Sequence, residues 1–428
     1  MQMAEEYRAT GKFAEKILPW VVCFSASLFF FYEFIQGNMF ASIADSIMYD
    51  FKVQADKMAL LSSIYYMSNV IFLLIAGVVL DKYSTKKTII IAMSLCVLST
   101  FILAHAQSFY LALFCRFVTG IGSAFCFLGP IRLASRWFPP RRMALVAGAI
   151  VTMAMTGGML AQYPLTLLVT QVGWRDALMQ VGWLGFGMLI FMFWGIIDKP
   201  HGTVTKFAKN EGLFVNAKKA YKNRQNLRAA LYTSLMNMAI AVFGAMMGSL
   251  YLMQRLGVSK EEAALVNTML FLGAIIGGPV IGWISDKFAL RVLPMKIGVI
   301  ASLITLLAIL FLPVSVMVMK ILFFLLGFFT AAQVISYALV AESSSPLITA
   351  TAVSVISILT QGGYIIYQNL FSLLLINHGG VQMLNGVPVY SLGDYQFAAM
   401  ILPIGLILAF LALSGLKETY GRHIVIEG

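Results

Sequence analysis

The sequence is poor in charge. Only 11% of its 428 residues are Asp, Glu, Lys or Arg while 60% are hydrophobic, a balance that no soluble globular domain of this size shows. Histidine is scarce as well. A membrane-embedded enzyme would need paired carboxylates or a histidine-rich cluster at the surface, and His105, His201, His378 and His423 are scattered over separate segments. The four cysteines (Cys23, Cys96, Cys115, Cys126) all lie in apolar runs and share no metal spacing with a histidine. They read as small packing residues, with no disulfide framework and no metal site. A phosphate-cradling Gly-x-x-x-x-Gly-Lys-Ser/Thr loop is absent, which argues against ATP as an energy source, and no cofactor is implied. A cleavable signal peptide is not evident either: the first 17 residues mix Glu5, Glu6, Arg8, Lys12, Glu15 and Lys16, and the apolar run after them is too long.

What is present is a series of apolar runs of about 20 residues or more, each long enough to cross a hydrocarbon core as a helix. Twelve helices are expected near 18–41, 58–80, 87–106, 109–131, 143–170, 177–197, 228–253, 264–285, 292–312, 316–340, 347–376 and 395–416. The longest polar segment, 198–227, carries Lys206, Lys209, Lys218, Lys219, Lys222 and Arg224. It divides the chain into 1–197 and 228–428, and reads as a linker attracted to anionic headgroups. The net charge of +12 is placed rather than spread. Lys52, Lys57, Arg175, Arg255 and Lys260 fall in one set of loops and Arg116 and Lys320 within spans, leaving 23 of the 30 basic residues on the opposite side. That asymmetry is the positive-inside pattern, so both termini are expected in the cytoplasm and the number of spans is even. The basic excess is topological and does not point to nucleic acid.

Two turns share a pattern. The first is Gly77-Val78-Val79-Leu80-Asp81-Lys82-Tyr83-Ser84-Thr85-Lys86-Lys87, and Gly282-Trp283-Ile284-Ser285-Asp286-Lys287-Phe288-Ala289-Leu290-Arg291 repeats it about 205 residues on. An internal repeat of this length means that both halves follow one plan. The turns resemble the loops between helices 2 and 3 and between helices 8 and 9 of the major facilitator superfamily, whose pattern is Gly-x-x-x-Asp-Arg/Lys-x-Gly-Arg-Arg. Ser84 stands where a glycine is usual, lysines replace arginines, and the second copy is looser. Arg132-x-x-x-Arg136-Trp137-Phe138-Pro139-Pro140-Arg141-Arg142 and Gly173-Trp174-Arg175 resemble further turns of the same family. The resemblance implies an all-α integral membrane protein: twelve helices in two pseudo-symmetric six-helix bundles that rock about a central site. Drug-proton antiporters of the family commonly carry Gly-Pro-x-x-Gly-Gly in helix 5. Here Gly157-Gly158 precedes Pro164, and its absence moves the reading from drug efflux toward uptake.

An ionisable group inside a membrane is costly and is the first place to look for function. Glu33, Arg116, Lys320 and Glu342 qualify, the last two near helix ends. Glu33 falls about 8 residues before the expected outer end of its helix and Arg116 about 7 after the start of helix 4, so both lie roughly 10–12 Å deep. The resemblance puts helices 1 and 4 on the cavity wall and links an arginine like Arg116 to proton coupling. Glu33 is therefore read as the proton carrier, with Arg116 setting its pKa or binding an anionic substrate group; a static ion pair between helices 1 and 4, or an arginine that snorkels outward, is the alternative. Neutral polar residues suggest the rest of the cavity: Gln36, Tyr65, Asn69, Tyr163, Asn237, Gln333, Tyr337, Gln361 and Tyr364, although such stripes also serve as glue between helices. The resemblance further implies a gating role for Asp81 and Lys82 beside Arg136, and for Asp286 near Lys287 and Arg291.

These readings converge on a secondary transporter, not an enzyme, moving a small polar solute by proton-coupled uptake: an amino acid, small peptide or organic anion. Its expected setting is the bacterial inner membrane, as a monomer surrounded by lipid. An exporter of a siderophore or drug on the same fold, and a non-transporting membrane sensor, remain open alternatives.

Overall fold

The computed structural model describes residues 2–138, 143–198, 221–344, 349–379, 382–384 and 387–422. Each of the twelve apolar segments falls on helix. Before the central basic segment come α1 (Gln2–Asn38), α2 (Phe40–Phe51), α3 (Ala55–Lys82), α4 (Thr85–Ala104), α5 (Phe109–Ser123), α6 (Leu128–Trp137), α7 (Met143–Leu160) and α8 (Tyr163–Gly195). After it come α9 (Arg224–Met236), a π-helical stretch (Ile240–Met247), α10 (Gly248–Leu256), α11 (Lys260–Phe288) and α12 (Val292–Phe311). The chain continues through α13 (Val316–Thr330), a 3₁₀ turn (Ala331–Val334), α14 (Ile335–Ser343), α15 (Thr349–Gly379), α16 (Leu392–Ala399) and α17 (Ile401–Leu413). A short antiparallel hairpin, β1 (Gln382–Leu384) with β2 (Val387–Val389), sits between α15 and α16 and is the one departure from an all-helical chain among the described residues.

Among those residues, nine helical stretches are long and apolar enough to cross a membrane. One of them, Val146–Gly195, spans 50 residues and contains a break at Gly173, whose φ of +83° no residue with a Cβ adopts readily. It therefore holds two of the expected helices. The 28-residue α3 and the 31-residue α15 supply two more.

Local chemistry explains where helices begin. Ser84, Ser259, Ser315 and Ser391 each turn a side-chain oxygen onto a backbone N–H of the first turn, and Asp394 completes a capping box with Ser391. The first span differs from its expected extent. Instead of ending near 41, the helical chain breaks at Met39 and continues as α2 to Phe51. Glu33 thus lies about 18 residues from the end of the helical run, well below the depth read from sequence.

Helices preceding and following the central segment meet along two seams, α3 on α15 and α7 on α11. Close approach within each set depends on missing side chains. A Cβ at Gly157 would strike the Phe31 backbone, joining α7 to α1, and one at Gly120 would strike Tyr65 and Ser68 of α3. The surface between helix ends carries exposed Trp183, Phe193, Trp194, Trp283 and many Leu and Ile, the composition expected against lipid. The end bearing the basic turns is termed the basic end here and the opposite one the outer end. Segment 199–220, with Lys206, Lys209, Lys218 and Lys219, lies outside the described residues, as do Arg141 and Arg142.

Candidate functional site

The core of the site is a desolvated arginine. Arg116 is fully buried on α5, and none of its guanidinium nitrogens has a hydrogen-bond partner among the described residues. Its charge is met by aromatic faces instead: the guanidinium carbon lies 4.6 Å from the centre of the Tyr65 ring and 4.8 Å from that of Phe40. Ring faces offset only part of the several kcal/mol that removing such an ion from water costs. Glu33 is equally buried. The Tyr65 hydroxyl donates to one of its carboxylate oxygens at 3.0 Å, and among the described residues the other lies beside Cys96 with no oxygen or nitrogen donor. Tyr65 thus stands between acid and base, touching both, and no direct ion pair joins Glu33 to Arg116 among the described residues.

From there a line of polar side chains crosses the molecule. The rings of Tyr65 and Tyr66 meet at 5.0 Å, and Tyr66 meets Tyr364 of α15 at 4.8 Å. Tyr66 donates to the Gly37 carbonyl at 2.9 Å, while Tyr364 reaches Asn237 at 3.4 Å. Asn237 in turn donates to Gln333. Both amides sit where a helix is interrupted, Asn237 before the π-helical stretch and Gln333 in the 3₁₀ turn. Irregular backbone at membrane depth is tolerated where polar side chains or a cavity receive it.

The remaining residues singled out from sequence are distributed differently. Gln36 donates to Thr100 at 2.9 Å, sharing that hydroxyl with Tyr32, and its own oxygen is unpartnered. Asn69 donates to Ser123 at 2.6 Å, a bond between α3 and α5. Tyr163 is half-buried at the start of α8, and only its backbone N–H makes a cross-molecule bond, to Thr268 at 3.3 Å. Its neighbour Gln162 is the better-placed residue, donating to the Gly244 carbonyl at 2.9 Å and accepting from Asn267 at 2.7 Å. Tyr337 and Gln361 are half-buried.

At the basic end the side chains of Asp81 and Lys82 lie outside the described residues. Arg136 pairs with Asp198 at 3.7 Å, and the same carboxylate accepts from Ser84 and from the Lys86 N–H. Asp198 organises that corner, and nothing in its sequence context marked it. In the second copy Arg291 binds Asp286 at 2.5 Å and Glu342 at 2.6 Å, and Glu418 accepts from the backbone N–H groups of Arg291 and Val292. Burial opposes the Arg291 charge, but the two carboxylates outweigh it and hold its pKa above the ordinary arginine value. Lys287 turns away and stacks on Trp283 at 4.8 Å. Glu342 is therefore a partner in this network and not a free helix-end charge.

Helices interrupted in both sets, with a buried acid and base within the first set and polar groups at the helix breaks of the second, define a polytopic membrane protein. The family model for the Major Facilitator Superfamily matches residues 22–247 and 229–423, and the chain belongs to that superfamily. It is 23% identical over 264 residues to the hexuronate transporter of Bacillus subtilis, covering 59% of this chain and 61% of that one. It is 26% identical over 187 residues to the membrane sensor protein UhpC of Salmonella typhimurium, covering 40% and 41%. The chain thus aligns with less than two thirds of either relative's length. A bacterial homologue of the human lysosomal transporter Spinster, solved in an inward-facing and unoccupied conformation, superposes with a TM-score of 0.74 at 17% identity, over 95% of this chain and 98% of that one. At that identity the likeness is one of fold.

Proposed function

We propose that the protein is a secondary transporter that carries a small polar organic anion by alternating access, coupled to protons. The observation that supports this most is Arg116: a buried guanidinium whose donors are unused suits a carboxylate ligand, which can take two of them in a planar fork. In this reading Glu33 binds the proton. An anion arriving at Arg116 offsets the positive charge that favours the ionised form of Glu33, so solute and proton load together. Tyr65 holds both groups in register, and Asn237, Gln333 and Tyr364, with Tyr337 and Gln361 nearby, bind the neutral part of the solute. A hexuronate, the solute in the Bacillus relative's name, has this character: one carboxylate and several hydroxyls. The helices before and after the central segment act as two rocking bundles, with 198–227 as their linker. The basic end and both termini face the cytoplasm of a bacterial inner membrane, and the monomer is the working unit.

The test is reconstitution in liposomes with an internal pH dye, presenting pooled hydroxycarboxylates, amino acids, dipeptides and nucleosides. Acidification driven by the carboxylate pool and lost in Glu33→Gln is the expected result. Acidification by dipeptides or nucleosides alone would overturn the anion assignment. The relationship to UhpC favours one second reading, a sensor that binds solute without cycling. Saturable carboxylate binding with no acidification and no solute accumulation would establish that reading over transport.

A further inference from the structure

The two ends of the molecule differ in how the helix sets meet. At the basic end every ion pair among the described residues joins groups of one set, Arg136 with Asp198 and Arg291 with Asp286 and Glu342. At the outer end one ion pair crosses from set to set: Lys260 Nζ lies 2.6 and 2.8 Å from the two carboxylate oxygens of Asp45. Further outer crossings join neutral groups. The Ala55 N–H donates to the Tyr390 hydroxyl at 3.1 Å, Asn369 donates to Ser63 at 2.9 Å, and Gln162 bridges to Asn267 and Gly244.

By local rules Lys260 is misplaced. It is the first residue of α11, immediately after the capping Ser259, where the positive end of the helix dipole favours the adjacent Glu261 and Glu262 and opposes a cation. Its side chain is only 12% exposed, so most of its hydration is lost as well. The charge of the adjacent Glu261 offsets part of this, but among the described residues no ion pair along α11 holds Lys260. The compensating carboxylate comes from α2, 215 residues earlier, and it is available only while the outer ends stay together.

We propose that Asp45 and Lys260 form the charged latch of an outer gate, whose rupture accompanies opening of the site away from the basic end. The proposal rests on the alternating-access reading. A comparison pair lies close at hand: Asp50 and Arg175 pair at the same end, but both belong to the first helix set, so separating the sets leaves them joined. A latch is distinguished from an ordinary surface ion pair by this difference.

The experiment uses the full chain in lipid nanodiscs with one spin-label pair across the outer ends and another across the basic ends, read as distance distributions. Asp45→Asn and Lys260→Met are each expected to raise the outward-open fraction about tenfold, less than cutting one partner of a fully desolvated pair would give because Asp45 is partly exposed. The charge swap D45K/K260D is expected to return the distribution toward wild type, and Arg175→Met to leave it unchanged. If wild type already shows two outer distances and neither single variant alters their ratio, the latch is rejected and alternating access stands. If wild type and all variants show one unchanging outer distance, with and without the carboxylate pool, alternating access is rejected and the latch with it.

Discussion

Arg116 and Glu33 illustrate how far composition carries a functional argument and where it stops. Two opposite charges in apolar helices are conspicuous in any sequence. That Tyr65 stands between them, and that Phe40 covers the arginine, follows from the packing of α1, α3 and α5 and has no signature in the chain. The arrangement makes separable predictions. Arg116→Lys keeps the charge but loses the planar fork, and anion uptake is expected to fall by about 100-fold, measured as initial rates in liposomes. Glu33→Gln is expected to abolish accumulation against a gradient while solute-for-solute exchange continues, a contrast that a simple loss of folding would not produce. Tyr65→Phe removes the hydroxyl and retains the ring over Arg116, so it is expected to alter the pH dependence of uptake more than the affinity for solute.

At the scale of helices, glycines and breaks do what side chains do elsewhere. The fifth span carries several glycines, but they are not equivalent. A Cβ at Gly157 would meet the Phe31 backbone, whereas one at Gly148 meets nothing within 4 Å. Gly157→Val is therefore expected to cost about 1–3 kcal/mol by overpacking and Gly148→Val close to nothing, compared by thermal unfolding in detergent. Helix existence was readable because a span needs only length and hydrophobicity. Interruptions were not: the π-helical stretch at Ile240–Met247 lies in sequence as apolar as its surroundings, and the Gln36-Gly37-Asn38 that precedes the break at Met39 was read as part of a continuous span. The basic-end network has the same character. Asp286 and Arg291 are marked by the repeated turn, while Glu342 in α14 and Glu418 in the segment after α17 reach Arg291 from farther along the chain. Arg291→Ala is expected to destabilise the second helix set by about 2 kcal/mol, less than for a fully buried pair because Asp286 is largely exposed.

For the whole molecule the informative feature is the uneven distribution of contacts between the two helix sets. They cross at the outer end, and among the described residues the ion pairs at the basic end stay within their own set. If the sets separate there during the cycle, joining them covalently must stop it. Asn369 donates to Ser63 at 2.9 Å across the α3–α15 seam, so S63C/N369C is expected to form a disulfide on oxidation. Uptake is expected to cease on cross-linking and recover on reduction. Full uptake by the cross-linked protein would mean that the seam does not open at this level.

By itself the sequence determined that this chain lives in a membrane, that it is built of helices and that its two halves repeat one plan. Each of these depends on summed hydrophobicity, charge placement or a local turn, quantities that add along the chain. The partners of Arg116, the role of Asp198 and the crossing of Asp45 to Lys260 were decided only by tertiary structure. They join residues up to 215 positions apart, and the energy of a buried charge depends on what surrounds it, not on its neighbours in sequence.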